Sequence, residues 1–375
     1  RAVLLGPELE RPRLAVAAVE VRVGTGLLDD EDVGPEAEDV VGEGAGQLGQ
    51  RRRTHDRGHR PIVARFLDRS VKWNNGPMPF TDRSGVSICY ETFGDPDDVP
   101  LLLVCGLGMQ LVRWDEELLA ALTDRGFFVI THDNRDIGLS ESFAHVEVDV
   151  VAAVMAAIEG AAVDAPYLLS DMAADAIAVL DDVGVDRVHV VGTSMGGMIA
   201  QTMAIEHPGR VASLTSIMST TGDPDVGQPN PEVLPVLLGN AGEDREAIIE
   251  ATVETFRTIG SPEHFDETLT RAAAARAYDR AHDPHAQSRQ LVATIASGSR
   301  SEALRSIAVP TLVVHGSVDP LIDVSGGRRT AEVIPGAELL VIEGMGHDIP
   351  RVFQPQVIEA VLALVSRAES SAVAS

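Results

Sequence analysis

The chain is poor in cysteine, nearly devoid of lysine and sparing with aromatics. Its only cysteines, Cys89 and Cys105, cannot build a disulfide framework, and a cytoplasmic setting is the simpler expectation. No apolar run approaches the ~20 residues of a membrane-spanning helix. The longest, Val150 to Ile158, is closed by Asp149 and Glu159, so no membrane span is expected. Lys72 is the only lysine, and the positive charge is otherwise arginine. The 30 basic residues face 57 acidic ones, a net charge of −27. That balance disfavours nucleic acid and anionic membranes as partners. The composition, 45% apolar with 34 glycines and 21 prolines in 375 residues, excludes collagen-like, disulfide-dense and wholly disordered classes.

The acidity is uneven. Residues 1–77 hold 12 basic and 13 acidic side chains, leaving 18 and 44 for the rest. This first stretch lacks sustained periodicity. It carries an acidic run from Asp29 to Asp32, glycines near 42–49 and the basic run Arg51-Arg52-Arg53. It reads as an extension without a packed core, disordered or not native to the protein, and the basic run as a solvated tail. Met78, closely followed by the strand-like Val86–Tyr90, marks the expected start of the folded protein.

From there, short apolar runs alternate with helical patterns. Strands are expected at Leu101–Cys105, Phe128–His132, Val188–Val191, Val211–Ile217, Thr311–His315 and Leu339–Ile342. Helices are expected at Arg113–Asp124, Leu168–Val183, Gly196–Glu206, Ser325–Val333 and Pro355–Ala368. Continuous Val/Leu/Ile runs separated by helices predict an α/β fold with a parallel sheet covered on both faces. Residues 222–306 break the rhythm, opening with Pro224, Pro229, Pro231 and Pro235 and turning helical and charged from Glu243 to Ala296. They read as a helical cap over the C-terminal edge of the sheet, where ligands bind in such folds. The core is then 78–221 and 307–370.

The strongest chemical signal is Gly192-Thr193-Ser194-Met195-Gly196, between a strand and a helix. This is the G-x-S-x-G elbow in its required context. The small flanking residues let strand and helix approach, and the helix N-terminus points partial positive charge at the serine. A serine hydroxyl needs a base. Of eleven histidines, His347 follows the last strand in Gly344-Met345-Gly346-His347. The others fall in strands, at a helix end, in the tail, in loops or in the cap; the H-x-x-H pair His282 and His285 reads as surface, not metal site. The base needs a carboxylate. Asp319 follows a strand in Gly316-Ser317-Val318-Asp319-Pro320 and is preferred to two rivals. Asp323 enters the next helix, and Asp348 adjoins His347 at an unsuitable angle. Two backbone donors for an oxyanion are expected at Met195 and Leu107, the latter in Cys105-Gly106-Leu107-Gly108 after a strand.

Over roughly residues 79–370 the sequence resembles the α/β-hydrolase superfamily. Asp133 to Ser140, Met172 to Asp175 and Val190 to Gln201 resemble actinobacterial carboxylesterases and lipases, aclacinomycin methylesterase among them. The resemblance implies Ser194, Asp319 and His347 as the triad and Leu107 and Met195 as the oxyanion hole, with no cofactor and no metal. Many members carry His-Gly where Cys105-Gly106 stands. Ser194 also argues against the epoxide hydrolase and haloalkane dehalogenase branches, which place Asp there. Asp133 and Arg135 are read as loop-bracing. The expected activity is hydrolysis of small-molecule carboxylic esters, short- to medium-chain or methyl, through an acyl-enzyme. Leu107, Met109, Trp114, Met195 and apolar cap positions are expected around the acyl group. A lactonase, a C–C bond hydrolase, a perhydrolase side activity and a non-catalytic ligand receptor are the alternatives.

Overall fold

The computed structural model describes residues 77–233 and 244–374. The expected unpacked extension 1–77 thus lies outside the described residues, Pro77 apart, as do Pro235 and Glu243 of the expected cap.

Among the described residues eight strands form one sheet. They are β1 (Phe80–Thr81), β2 (Ile88–Phe93), β3 (Val99–Val104), β4 (Phe127–His132), β5 (Val188–Thr193), β6 (Val211–Ile217), β7 (Thr311–Gly316) and β8 (Glu338–Ile342). Their order is β1-β2-β4-β3-β5-β6-β7-β8. The pairs β1–β2 and β2–β4 are antiparallel and all others parallel. Every residue of β4, β5, β6 and β7 is buried, because helices cover both faces. This is why these strands read as unbroken apolar runs and not as alternation.

Neighbouring residues still divide between two core layers. Leu102, Val104, Ile130 and Val190 pack with α3 (Leu169–Val183) and α4 (Met195–Glu206). Leu101, Leu103, Val129 and Val191 pack on the other face with α1 (Glu116–Thr123) and α10 (Gln354–Ala374). The period-2 geometry of a strand sends adjacent side chains to opposite layers. The helix α4 is buried almost all round, from Met195 to Ala204, so its sequence shows no polar face.

Two elements were not expected. One is β1. The other is α2 (Val150–Glu159), formed by the longest apolar run and capped by the Asp149 carboxylate, which accepts the Ala152 N–H. Only Ala153 of this helix is buried, and Val151, Val154, Met155 and Ile158 are exposed. The strand expected near Val86–Tyr90 sits slightly further along, at β2.

Between β6 and β7 the chain forms α5 (Arg245–Ile259), α6 (Glu267–Arg280), α7 (Ala286–Ser297) and α8 (Ser301–Leu304). Asp244 and Asp266 cap α5 and α6 through their carboxylates. The buried positions of α7, Ala286, Arg289, Gln290, Val292 and Ala293, follow helical spacing and face the sheet domain. Two arginines tie this segment down. Arg280 pairs with Asp133 at 2.6 Å, and Arg289 grips Asp136 through two bonds of 2.6 and 2.7 Å. After α9 (Val324–Val333), β8 and α10 complete the fold.

Candidate active site

Ser194 stands between β5 and α4 with φ 55° and ψ −121°, a left-handed backbone for a residue with a side chain. Its N–H donates to the Ile217 carbonyl at 2.9 Å on the neighbouring strand. The turn is possible only because the flanking glycines have no Cβ. One on Gly192 would sit 2.1 Å from the Gly196 carbonyl oxygen, and one on Gly196 2.2 Å from that of Val104. The elbow thus holds the hydroxyl at the C-terminal end of the sheet.

His347 lies in the loop after β8. Its Nε2 is 3.0 Å from Ser194 Oγ and its Nδ1 2.8 Å from Asp319 Oδ2. A carboxylate only accepts, so Nδ1 carries the proton and Nε2 offers its lone pair to the hydroxyl. Asp319 lies in the turn after β7. Its second oxygen, Oδ1, accepts the N–H groups of Leu321 and Ile322, both at 2.9 Å. Burial by itself raises the Asp319 carboxyl. The charge of His347, hydrogen bonds from His315 and His347 and the Ile322 N–H outweigh it and hold the group well below the usual carboxylate range. The structure therefore brings together the three side chains singled out in the sequence.

The two rival aspartates have other partners. Asp323 caps α9, its carboxylate accepting the Ser325 N–H. Asp348 Oδ1 accepts from Ser261, the N–H at 2.9 Å and the hydroxyl at 2.6 Å. Ser261 Oγ in turn accepts the Gly346 N–H at 2.9 Å, and the His347 N–H donates to the Ile259 carbonyl at 2.8 Å. His347 is thus fastened through its backbone to Ile259, the last residue of α5, and through the Gly346 amide to Ser261 just beyond it.

Met195 opens α4, and the first amide of a helix has no intrahelical acceptor. Leu107 follows Gly106, whose backbone leaves 3.2 Å between an imagined Cβ and Ser194 Cβ. The loop after β3 therefore runs directly beside the serine. One expected pocket residue is placed elsewhere. Trp114 is buried in the core layer with Leu118, Leu122, Val357 and Ile358, because the short helical turn Leu111–Arg113 directs it inward. Of the histidines between β6 and β7, His282 stacks on Tyr278 with 4.8 Å between ring centroids. Asp133 accepts the Leu111 N–H at 2.8 Å and the Leu139 N–H at 2.9 Å, and Arg135 forms a two-pronged bond to Asp175 at 2.6 and 2.8 Å.

Sequence reasoning missed the groups that surround this set. His315, fully buried, has Nε2 at 3.5 Å from Asp319 Oδ2 while donating to the Ile322 carbonyl at 2.8 Å. Ser261, Arg280, Arg289 and Gln290 reach the core from the segment between β6 and β7. Polar residues in such a segment carry no local signal that separates an inward contact from a solvated face. The pairing of Ser261, Arg280 and Arg289 with Asp348, Asp133 and Asp136, and of Gln290 with the backbone of Gly108 and Arg135, exists only in three dimensions.

The family model described as the alpha/beta hydrolase fold matches residues 99–350. The chain belongs to the α/β hydrolase family. It is 30% identical over 312 residues to rhodomycin D methylesterase DnrP of Streptomyces peucetius, covering 76% of this chain and 97% of that protein. It is 31% identical over 314 residues to rhodomycin D methylesterase DauP of Streptomyces sp. strain C5, with the same coverage of 76% and 97%. Among solved structures it resembles the enol-lactonase from Burkholderia xenovorans LB400, with a TM-score of 0.60, 20% identity, and coverage of 77% of this chain and all of that one. At that identity the likeness speaks for the fold.

Proposed function

We propose that this hydrolase cleaves carboxylic esters through an acyl-enzyme on Ser194. The observation that carries the reading is the continuous relay from Ser194 Oγ to His347 Nε2 and from His347 Nδ1 to Asp319, at 3.0 and 2.8 Å. His347 takes the hydroxyl proton as the serine oxygen attacks the ester carbonyl. Asp319, charged throughout, holds the imidazole in the correct tautomer and stabilises the imidazolium. The N–H groups of Leu107 and Met195 receive the negative charge that develops on the carbonyl oxygen. Loss of one such donor typically costs ~10²–10³ in turnover. His347 then gives the proton to the leaving alcohol, water activated by the same nitrogen attacks the acyl-serine, and the acid departs. All groups used are side chains and amides of this chain.

Two relatives named as methylesterases support a methyl ester, or a short- to medium-chain ester, as the substrate. The two free, buried thiols, Cys89 and Cys105, support a cytoplasmic setting. The test is labelling with a fluorophosphonate, followed by peptide mapping, beside a chain-length series of p-nitrophenyl esters. One adduct on Ser194, ester turnover lost in proportion, and negligible action on peptides and amides are expected. Full turnover with Ser194 modified, or a preference for amides, would contradict the reading.

A further inference from the structure

The loop that carries Leu107 is pinned from the cap side as well as from the serine side. Gln290, in α7, has no exposed surface. Its Oε1 accepts the Gly108 N–H at 2.9 Å and its Nε2 donates to the Arg135 carbonyl at 3.0 Å. The two bonds fix the orientation of the carboxamide, since a flip would set an NH₂ against an N–H and an oxygen against a carbonyl. The Gly108 N–H shares its peptide plane with the Leu107 carbonyl. That plane is joined to the preceding one, which contains the Leu107 N–H, only through φ and ψ of Leu107, so the Gly108 bond restrains the Leu107 amide from one side. At the other end of the loop Gly106 abuts Ser194. Gly108 adopts φ +68°, with the Gln287 carboxamide against it, so the turn has a conformation that a side chain would oppose. The support is itself stiff, because Arg289, the residue before Gln290, is gripped by Asp136.

We propose that Gln290 is a positioning residue for the oxyanion loop, aiming the Leu107 N–H at the place where the carbonyl oxygen becomes charged. The inference deepens the ester-hydrolase reading and rests on it. It makes α7 part of the catalytic apparatus, even though the helix carries none of the groups that react. The Gly108 N–H needs an acceptor, and a variant without one frees the peptide to rotate.

Two variants separate the functions of the carboxamide. Gln290→Met keeps the length and removes both polar atoms; Gln290→Glu keeps an acceptor for Gly108 and removes the donor to Arg135. For each, kcat and KM on p-nitrophenyl acetate are measured together with Ki for a trifluoromethyl ketone, whose serine adduct carries an oxyanion. Thermal unfolding by circular dichroism reports whether the protein is folded at the assay temperature. In folded Gln290→Met, kcat falls roughly 10–100-fold, less than for complete loss of one donor, and KM moves little. Ki rises by the factor by which kcat/KM falls, and Gln290→Glu retains more activity than Gln290→Met. A purely structural role would lower the unfolding temperature and leave kcat/KM and Ki of the folded enzyme unchanged, and that result overturns the proposal. If Gln290→Met does not fold, Gln290→Asn, whose shorter side chain draws the acceptor back from Gly108, decides in its place: it must show the matched change in Ki and kcat/KM. Wild-type turnover that vanishes in Ser194→Ala upholds the ester-hydrolase reading however the Gln290 variants behave.

Discussion

Ser194 occupies backbone angles that cost ~1–3 kcal/mol for a residue with a side chain. Its neighbours hold it there: Gly192 and Gly196 allow the approach, and the Ile217 carbonyl secures its amide. This feature was legible in the sequence, because glycines at fixed offsets between a strand and a helix leave few alternatives. Asp319 and His347 were legible from their positions after strands. The residues that tune them were not: His315 reads simply as part of a strand, yet it approaches the carboxylate of Asp319. Another strand histidine makes a prediction at this scale. His132, fully buried at the end of β4, is pushed down to about 4, because burial outweighs the opposing influence of the nearby Asn134 side chain. Above pH 6.5, its ordinary value, it is neutral in both folded and unfolded chains and contributes no pH dependence. Between pH 6.5 and about 4 the unfolded chain takes up a proton that the folded one refuses, so stability falls as pH falls. Replacing His132 with Leu should remove roughly 2–3 kcal/mol of that loss. Urea denaturation at pH 7 and pH 4.5 measures it, and an unchanged acid loss in the variant would refute the assignment.

At the scale of elements, the regular part of the fold was readable to within one or two residues at most boundaries. Unbroken apolar runs gave away β3 to β7, and helical patterns between them gave away α1, α3, α4, α9 and α10. The short β1 and the exposed α2 were not readable in this way. A two-residue strand is defined by its partner, and an apolar run says nothing about which side of it will be covered. The same limit hid how the segment after β6 meets the sheet domain. Its contact is built on charge pairs that are nearly waterless: the Arg289 side chain is 2% exposed and the Asp136 side chain not at all. Breaking such a pair leaves one charge buried without a partner and costs about 3–5 kcal/mol. Arg289→Met should destabilise by that amount in denaturant titrations, whereas Arg271→Met, on an exposed cluster with Glu246, Glu250 and Glu267, should change stability by less than about 1 kcal/mol. Equal effects at the two positions would show that α7 is not anchored by its buried pair.

For the molecule as a whole, the acidic excess beyond residue 77 has a structural distribution that composition could not reveal. Some of these carboxylates cap helices, as Asp115, Asp244 and Asp266 do, and others, Asp133 and Asp136, pair with arginines of the segment between β6 and β7. The fold then gathers three side chains, from the end of β5, after β7 and after β8, and the backbone of the loop after β3 onto one rim of the sheet. That convergence is what the proposed ester hydrolysis requires, since a serine hydroxyl needs a base beside it. The most direct measurement is the turnover of p-nitrophenyl acetate by Ser194→Ala, with its fold verified by circular dichroism. A fall in kcat of roughly 10⁵–10⁶-fold is predicted, in line with the loss of a serine that acts as a unit with its base; turnover within tenfold of the wild type would contradict the assignment of Ser194 as the nucleophile.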